Sequence, residues 1–393
     1  MPDKQIKRVG YLLIIGCIIA AAVCRSRAFI AGYSCSLVFL FLLGKPLRPK
    51  RVLLLLCCLL VWIGVLVVFT KSDSSAGRLL IYKIAFRVLD KNLPWGVGAG
   101  GFQKAYAGAQ ADYFRAGRYT TKELLLADNI STVYNDYLQL LIAWGVLGAL
   151  VLIAGVGLLI RLQKKAPGTT LTIPFVLSWT QLIAVLVAAC FTHVFGSLLF
   201  QGVALLSFLY LLWPRGWIIL SLIVLVLLDY GDQLFYARSY RRMSEAAELL
   251  KAGYVQESLT TYAAVAPPIQ NDPVFLNGYA TALMVHRDYQ QAIVVLNQLN
   301  ARWPSSVSLE RAGACYQQLG DFPNAESTLL TAIYTVPNRF TSRWSLFNLY
   351  LLTHQTAKAV WIGQTILSLP IKIPSPAVLR IKQDVAARMP AVE

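Results

Sequence analysis

Seven apolar runs cover residues 9–24, 28–44, 52–70, 137–160, 171–191, 196–213 and 216–229. A membrane-spanning helix needs about 20 predominantly apolar residues, with tolerance for tilt. The pattern therefore predicts about seven spans. The sixth and seventh runs are separated only by Trp213-Pro214-Arg215-Gly216, which reads as a tight turn. Between the third and fourth runs lies a polar, glycine-punctuated stretch over 71–136. Beyond about 232 the long runs give way to shorter segments of mixed polarity, which predict soluble helices. The expected architecture is all-α: a polytopic transmembrane helix bundle over 1–232 with a large outward loop at 71–136, then a helical domain over 233–393.

The C-terminal part carries a repeat. Pro304, Pro337 and Pro370 are each 33 residues apart, and Ala292 and Ala325 share that spacing. Tyr289 and Phe322 do so too, in the matching contexts RDYQQA and GDFPNA; upstream, AGYVQES is expected to supply the corresponding positions at Tyr254 and Ser258. This resembles tetratricopeptide repeats, in which small residues let paired helices pack closely. Three to four repeats are expected, the last one degenerate because Lys358 stands at the small position. A generic array of helical hairpins is the alternative; either is an α-solenoid that stacks its units in one dimension.

Composition narrows the class. Of the 393 residues 57% are hydrophobic and 14% charged, with a formal net charge of +17. That balance excludes an ordinary soluble enzyme and fits an integral membrane protein with cationic flanks. Lys4, Lys7, Arg8, Lys45, Arg48, Lys50, Arg51, Arg161, Lys164, Lys165 and Arg215 all fall on the cytoplasmic side if seven spans start from an inward N-terminus. The 71–136 loop and the C-terminal domain then face outward. No basic face on a soluble domain points to nucleic acid. Six of the seven cysteines lie in apolar runs, no CxxC occurs, and there are three histidines, His193, His286 and His354. Neither a disulfide framework nor a metal site is expected, and no cofactor. Absence of charged groups within the spans argues against a transporter.

Several short motifs sit at fixed places relative to the spans. They are Ser26-Arg27-Ala28, Gly77-Arg78, the run from Pro94 through Gly96, Gly98, Gly100 and Gly101 to Phe102, then Asn135-Asp136-Tyr137-Leu138-Gln139, and Trp144-Gly145-Val146-Leu147-Gly148. In this order they resemble the C-terminal part of the O-antigen ligase and O-antigen polymerase superfamily, which includes bacterial O-oligosaccharyltransferases. The resemblance covers about residues 10–215. It implies a metal-independent glycosyltransferase of the bacterial inner membrane, with its C-terminal domain in the periplasm. Such an enzyme moves a glycan from undecaprenyl diphosphate to lipid A core, to a protein hydroxyl or to another glycan. Membrane lipid, and a protein held by the repeat domain, are the other partners implied.

Site residues follow from the resemblance. A lipid diphosphate gains charge as it leaves, and the planar fork of arginine suits it. Arg27 and Arg78 are the expected diphosphate ligands, with Arg25 beside Arg27 as a substitute. Each has a plainer alternative: an interfacial arginine that snorkels for Arg27, a solvated loop charge for Arg78. Gly96 and Gly98 are expected to give the backbone a tight passage at the substrate, with Phe102 as anchor; a flexible re-entrant loop is the alternative. Tyr134 and Asp136 are the expected catalytic groups at the acceptor, with Asp128, Asn135, Tyr137 and Gln139 lining it. Asp128 reads equally as a turn cap, and Asn135-Asp136 as a helix N-cap.

Two departures stand out. The family commonly has histidine where Tyr134 stands, and no histidine occurs before His193. Tyrosine, with a pKa near 10, is a poor base. The base is then another group, with Asp128 or Asp136 best placed; or no strong base is needed; or the chain is inactive. His193 reads as an interfacial polar residue rather than the missing base. Fewer spans precede the Ser-Arg motif than in the family, so a truncated, non-catalytic scaffold that tethers the repeat domain is the second expectation.

Overall fold

The computed structural model describes residues 27–42, 72–164, 173–212, 236–265 and 269–390, with isolated positions between 8 and 19. Every regular element among them is helical. In chain order these are α1 Arg27–Leu42, α2 Ser72–Asn92, α3 Phe102–Arg115, α4 Thr121–Leu126, α5 Asp136–Lys164, α6 Ile173–Ala189 and α7 Leu198–Leu212. They continue with α8 over 236–251, α9 Val255–Ala263, α10 Pro273–Val285, α11 Tyr289–Arg302, α12 Ser306–Gln318, α13 Phe322–Thr335, α14 Phe340–Leu352, α15 Thr356–Ser368 and α16 Pro376–Arg388. The apolar runs at 52–70 and 216–229, Arg25, Ser26 and the turn at Trp213 to Gly216 lie outside the described residues. The chain forms two compact units: 1–78, 92–98 and 132–232 in the first, and 79–91, 99–131 and 233–393 in the second.

In the first unit α1, α6 and α7 pack in sequence. Close approach of α1 to α6 depends on Gly32, where an added Cβ would stand 2.4 Å from the Ala184 carbonyl oxygen. Buried Ser36 donates to the Thr180 carbonyl at 2.7 Å, and Tyr33 donates to Gln181 Oε1 at 3.0 Å. Polar groups inside an apolar bundle are thus paired, as burial requires.

About seven spans are expected; among the described residues one helix is long and apolar enough to cross a membrane, Asp136–Leu158. Leu147, Leu150, Val151, Ile153 and Val156 stand exposed on it. A core helix of a soluble domain would bury such side chains; here they offer a surface suited to lipid. The helix is broken, however. Gly145 takes φ 54°, ψ −128°, outside helical space, so α5 is two helical segments joined at that residue. Phe175–Ala189 and Phe200–Leu211 are shorter apolar helices.

The second unit contains most of the stretch read as a polar loop. That stretch is largely helical: α3, α4 and the 79–91 part of α2 fold with the C-terminal residues. Successive helices from α9 to α16 pack on one another, and α3 lies on α13 and α11. Helices α9, α11, α13 and α15 begin at Val255, Tyr289, Phe322 and Thr356. In each the fourth residue is small and fully enclosed: Ser258, Ala292, Ala325 and Ala359. The small position of the last helix is therefore Ala359 and not Lys358, because the spacing there is 34 rather than 33 residues. Lys358 is displaced to the surface, where it pairs with Glu326 at 2.7 Å. Asp288 and Asp321 cap α11 and α13 by accepting from Gln291 N and Asn324 N.

Three side-chain amides tie the 99–131 stretch to its neighbours. Asn338 Nδ2 donates to the carbonyls of Leu124, Leu125 and Ala127 at 3.1, 3.0 and 2.8 Å. Asn129 accepts from Ser306 N at 2.9 Å, and Gln110 donates to the Thr335 and Asp128 carbonyls. Lys83 meets Glu123 and the Tyr113 hydroxyl, each at 2.7 Å. Burial alone would raise the Glu123 pKa, but hydrogen bonds from Lys83, Thr120 and Tyr113 bring it down to about 2. Replacing Asn338 by alanine leaves three carbonyls without their donor, at a cost of about 2 kcal/mol. Limited trypsin digestion should then cut at Arg118 and Lys122 faster than in the parent protein, with α9 to α12 unaffected. Unchanged cleavage would mean that the apolar face of α3 holds the stretch unaided.

Candidate functional site

Five of the expected residues lie in the first unit with described side chains at or beside the start of α5. Tyr134 adopts φ 57°, which turns the chain sharply before the helix. Asn135 then caps α5, its Oδ1 accepting from Leu138 N at 2.9 Å, while its Nδ2 donates to the Cys190 carbonyl at 3.1 Å. The capping alternative for Asn135 is therefore present, and the same side chain also reaches the turn between α6 and α7.

That turn is where the site assembles. Arg78 donates through Nη1 to the Phe191 carbonyl at 2.9 Å, and its guanidinium lies 5.7 Å from the centre of the Tyr134 ring. Asp136 accepts from Val194 N at 2.8 Å and Phe195 N at 3.0 Å with one oxygen, and meets His193 Nδ1 at 2.5 Å with the other. Six consecutive residues, Cys190 to Phe195, thus receive Arg78, Asn135 and Asp136. Tyr137 donates to the Leu186 carbonyl at 2.7 Å, and Gln139 accepts from Val133 N at 3.2 Å; both brace the backbone around the same corner.

Arg27 opens α1, and only its backbone is described. The next residue, Ala28, packs in one apolar cluster with Ala188, Ala189 and Val194, and with Tyr137 and Phe195 at its margin. The start of α1 therefore lies at the same end of the unit as the 190–195 turn.

The glycines have a structural task. Val97 N and Gly98 N donate to the carbonyls of Ile142 and Ala143, each at 2.9 Å, and Val146 N donates to the Pro94 carbonyl at 2.8 Å. These are the backbone groups that the break at Gly145 frees from the helix, and the 94–98 segment satisfies them. Gly96 has φ 80°, and a Cβ there would sit 2.5 Å from the Ala143 carbonyl oxygen. Gly98 has φ 81° with open space around its Cα. Close backbone approach is thus realised, but toward α5. Phe102 and Asp128 fall in the second unit. Phe102 is buried against Tyr106, and Asp128 accepts from Asn129 N at 2.8 Å, as a turn cap does.

His193, read from sequence as an interfacial residue, is instead the partner of Asp136. Its side chain is 34% exposed, against 6% for Asp136. Its ring lies against Gly196, where a Cβ would stand 2.6 Å from Nε2. The signal that could have found it is small: one histidine in a four-residue gap between two apolar runs, facing the Asn135-Asp136 pair across a predicted outer rim.

A search of curated proteins gives no match. Among solved structures, one titled "MamA RS-1 ArsTM double mutant" is similar at 21% identity, covering 38% of this chain and 82% of its own, with a TM-score of 0.33. The model of the family described as O-antigen ligase matches residues 10–153, a segment that holds Arg27, Arg78, the glycine run and Asn135-Asp136.

Proposed function

We propose that this chain is a membrane glycan ligase or polymerase. It takes a glycan from undecaprenyl diphosphate and joins it to an acceptor hydroxyl, of lipid A core, protein or another glycan, at the periplasmic face of the inner membrane. The observation that carries the reading is the convergence of Arg78, Asn135 and Asp136 on the single turn from Cys190 to Phe195. The start of α1, with Arg27, joins them at that end.

The chemistry needs little more. As the bond from sugar to phosphate lengthens, negative charge builds on the diphosphate, and a guanidinium fixed beside it lowers the barrier. One Arg78 nitrogen is held by the Phe191 carbonyl, which aims the fork and leaves its other donors for phosphate. The C-terminal helices, read as tetratricopeptide-like repeats, then serve to hold an acceptor or a protein partner. Metal is not needed in this scheme, because arginine supplies the positive charge.

Full-length protein carrying Arg78→Gln, produced in cells that lack the parent gene, should transfer glycan about a hundredfold more slowly. It should accumulate to the same level, with the unused glycan retained on its lipid. Arg78→Lys should recover part of the rate, since charge is kept and the fork is lost. Full transfer by both variants would overturn the diphosphate role of Arg78; full transfer in cells that lack the gene altogether would leave the scaffold reading, a membrane-anchored helical repeat without catalysis.

A further inference from the structure

The base that the 134 position cannot supply has a replacement in the fold. We infer that His193, oriented by Asp136, is the general base that takes the proton from the acceptor hydroxyl; this rests on the glycan-transfer reading above. Three observations carry it. Asp136 accepts two backbone N–H groups, from Val194 and Phe195, on one oxygen, which holds the carboxyl group with its other oxygen toward His193. That oxygen lies 2.5 Å from His193 Nδ1, and in the assignment we infer it accepts the hydrogen that Nδ1 bears. In the neutral ring the lone pair then belongs to Nε2, which has no protein partner among the described residues and sits on a side chain one-third exposed. A buried carboxylate that fixes the tautomer of a part-exposed imidazole is the arrangement that makes histidine a directed base. Gly196 leaves room for the Nε2 edge of the ring.

The step balances as follows. The acceptor oxygen attacks the anomeric carbon, and its proton passes to His193 Nε2. The bond from anomeric carbon to phosphate oxygen breaks, and its electron pair departs on the diphosphate. The imidazolium, stabilised by Asp136, returns its proton to water. Tyr134 stays outside this transfer, its ring face turned to the Arg78 guanidinium.

The test uses full-length protein in phospholipid nanodiscs, an undecaprenyl-diphosphate-linked oligosaccharide as donor, and two kinds of nucleophile. Lipid A core, a serine-containing peptide and a free glycan offer hydroxyls; azide offers a nucleophile with no proton to remove. His193→Gln should slow hydroxyl transfer by about 10²- to 10³-fold, while glycosyl azide forms at the parent rate. The azide arm shows that the donor site and the fold are intact, which a merely structural role for His193 would not preserve. Gly196→Ala, which crowds the ring without touching donor contacts, should slow the hydroxyl arm selectively in the same way. Parent-like hydroxyl transfer by His193→Gln overturns the assignment of the base and leaves glycan transfer standing. Equal loss in both arms also overturns it. A parent protein that transfers glycan to none of the nucleophiles removes both readings together.

Discussion

Gly145→Ala should abolish the folded first unit. The residue stands at φ 54°, ψ −128°, a conformation open to glycine and strained for any residue with a Cβ. Space is the second obstacle. An added Cβ would lie 1.9 Å from the Pro94 carbonyl oxygen, 2.6 Å from its carbon and 2.9 Å from Gly96 N, all of them backbone atoms that no rotamer change can clear. Restoring a straight helix does not rescue it, because Val97 N, Gly98 N and the Pro94 carbonyl would then lose their partners. Strain, overlap and orphaned amides together cost about 4 kcal/mol or more, a large part of the stability of an ordinary domain. Expression followed by detergent extraction and size-exclusion chromatography should give aggregate where the parent gives a single peak. Gly96→Ala should behave similarly, since its Cβ meets the Ala143 carbonyl. Gly98→Ala should be milder: its φ of 81° carries a backbone penalty, but nothing lies within 4 Å. Equal tolerance at all three positions would mean that the 94–98 segment does not seat against α5.

That ranking shows where sequence reading works and where it stops. Apolar runs found four described helices, α1, α5, α6 and α7, because a long stretch without charge has few other ways to satisfy its backbone. The 33-residue spacing located the buried small positions of α11 and α13, and misplaced the one in α15 by a single residue, because one extra residue between caps leaves no compositional trace. The stretch over 71–136 looked like loop because its polarity is high, yet α3 is amphipathic and buries Tyr106, Gln110, Tyr113 and Phe114. Its partners come from 200 residues further on, and no local pattern announces them. The glycine run was recognised, but its seat against α5 was not: a backbone segment that completes a broken helix leaves in sequence only the same glycines that a substrate loop would. His193 escaped for a related reason. Its partner is 57 residues away, and the pairing depends on how α5 and the α6–α7 turn meet. Arg78 and Asn135-Asp136, by contrast, were legible as a set through the order of motifs along the chain.

Asp136→Asn provides the sharpest separation between a capping residue and a working one. The substitution keeps shape and volume, and the new amide oxygen can still accept from Val194 N and Phe195 N, where one carboxylate oxygen does so now. The amide nitrogen must then face His193 Nδ1 in place of the second oxygen. A donor facing a donor is repulsive, so the imidazole answers by moving its hydrogen to Nε2 and accepting at Nδ1. Nothing has unfolded, yet the nitrogen that should take the acceptor proton now carries one. The carboxylate that offset the imidazolium charge is also gone. Hydroxyl transfer should therefore fall by about 10³-fold, while thermal stability changes little, because every backbone donor retains its partner. Asp136→Ala should differ in kind: two buried N–H groups and the ring are left without acceptors, at about 3 kcal/mol in stability. Paired measurements of melting temperature and transfer rate decide between the roles. If Asp136 served only to hold the 190–195 turn, the alanine variant would lose rate in step with its loss of folded protein and the asparagine variant would keep both. If it orients His193, the asparagine variant stays folded and stops working.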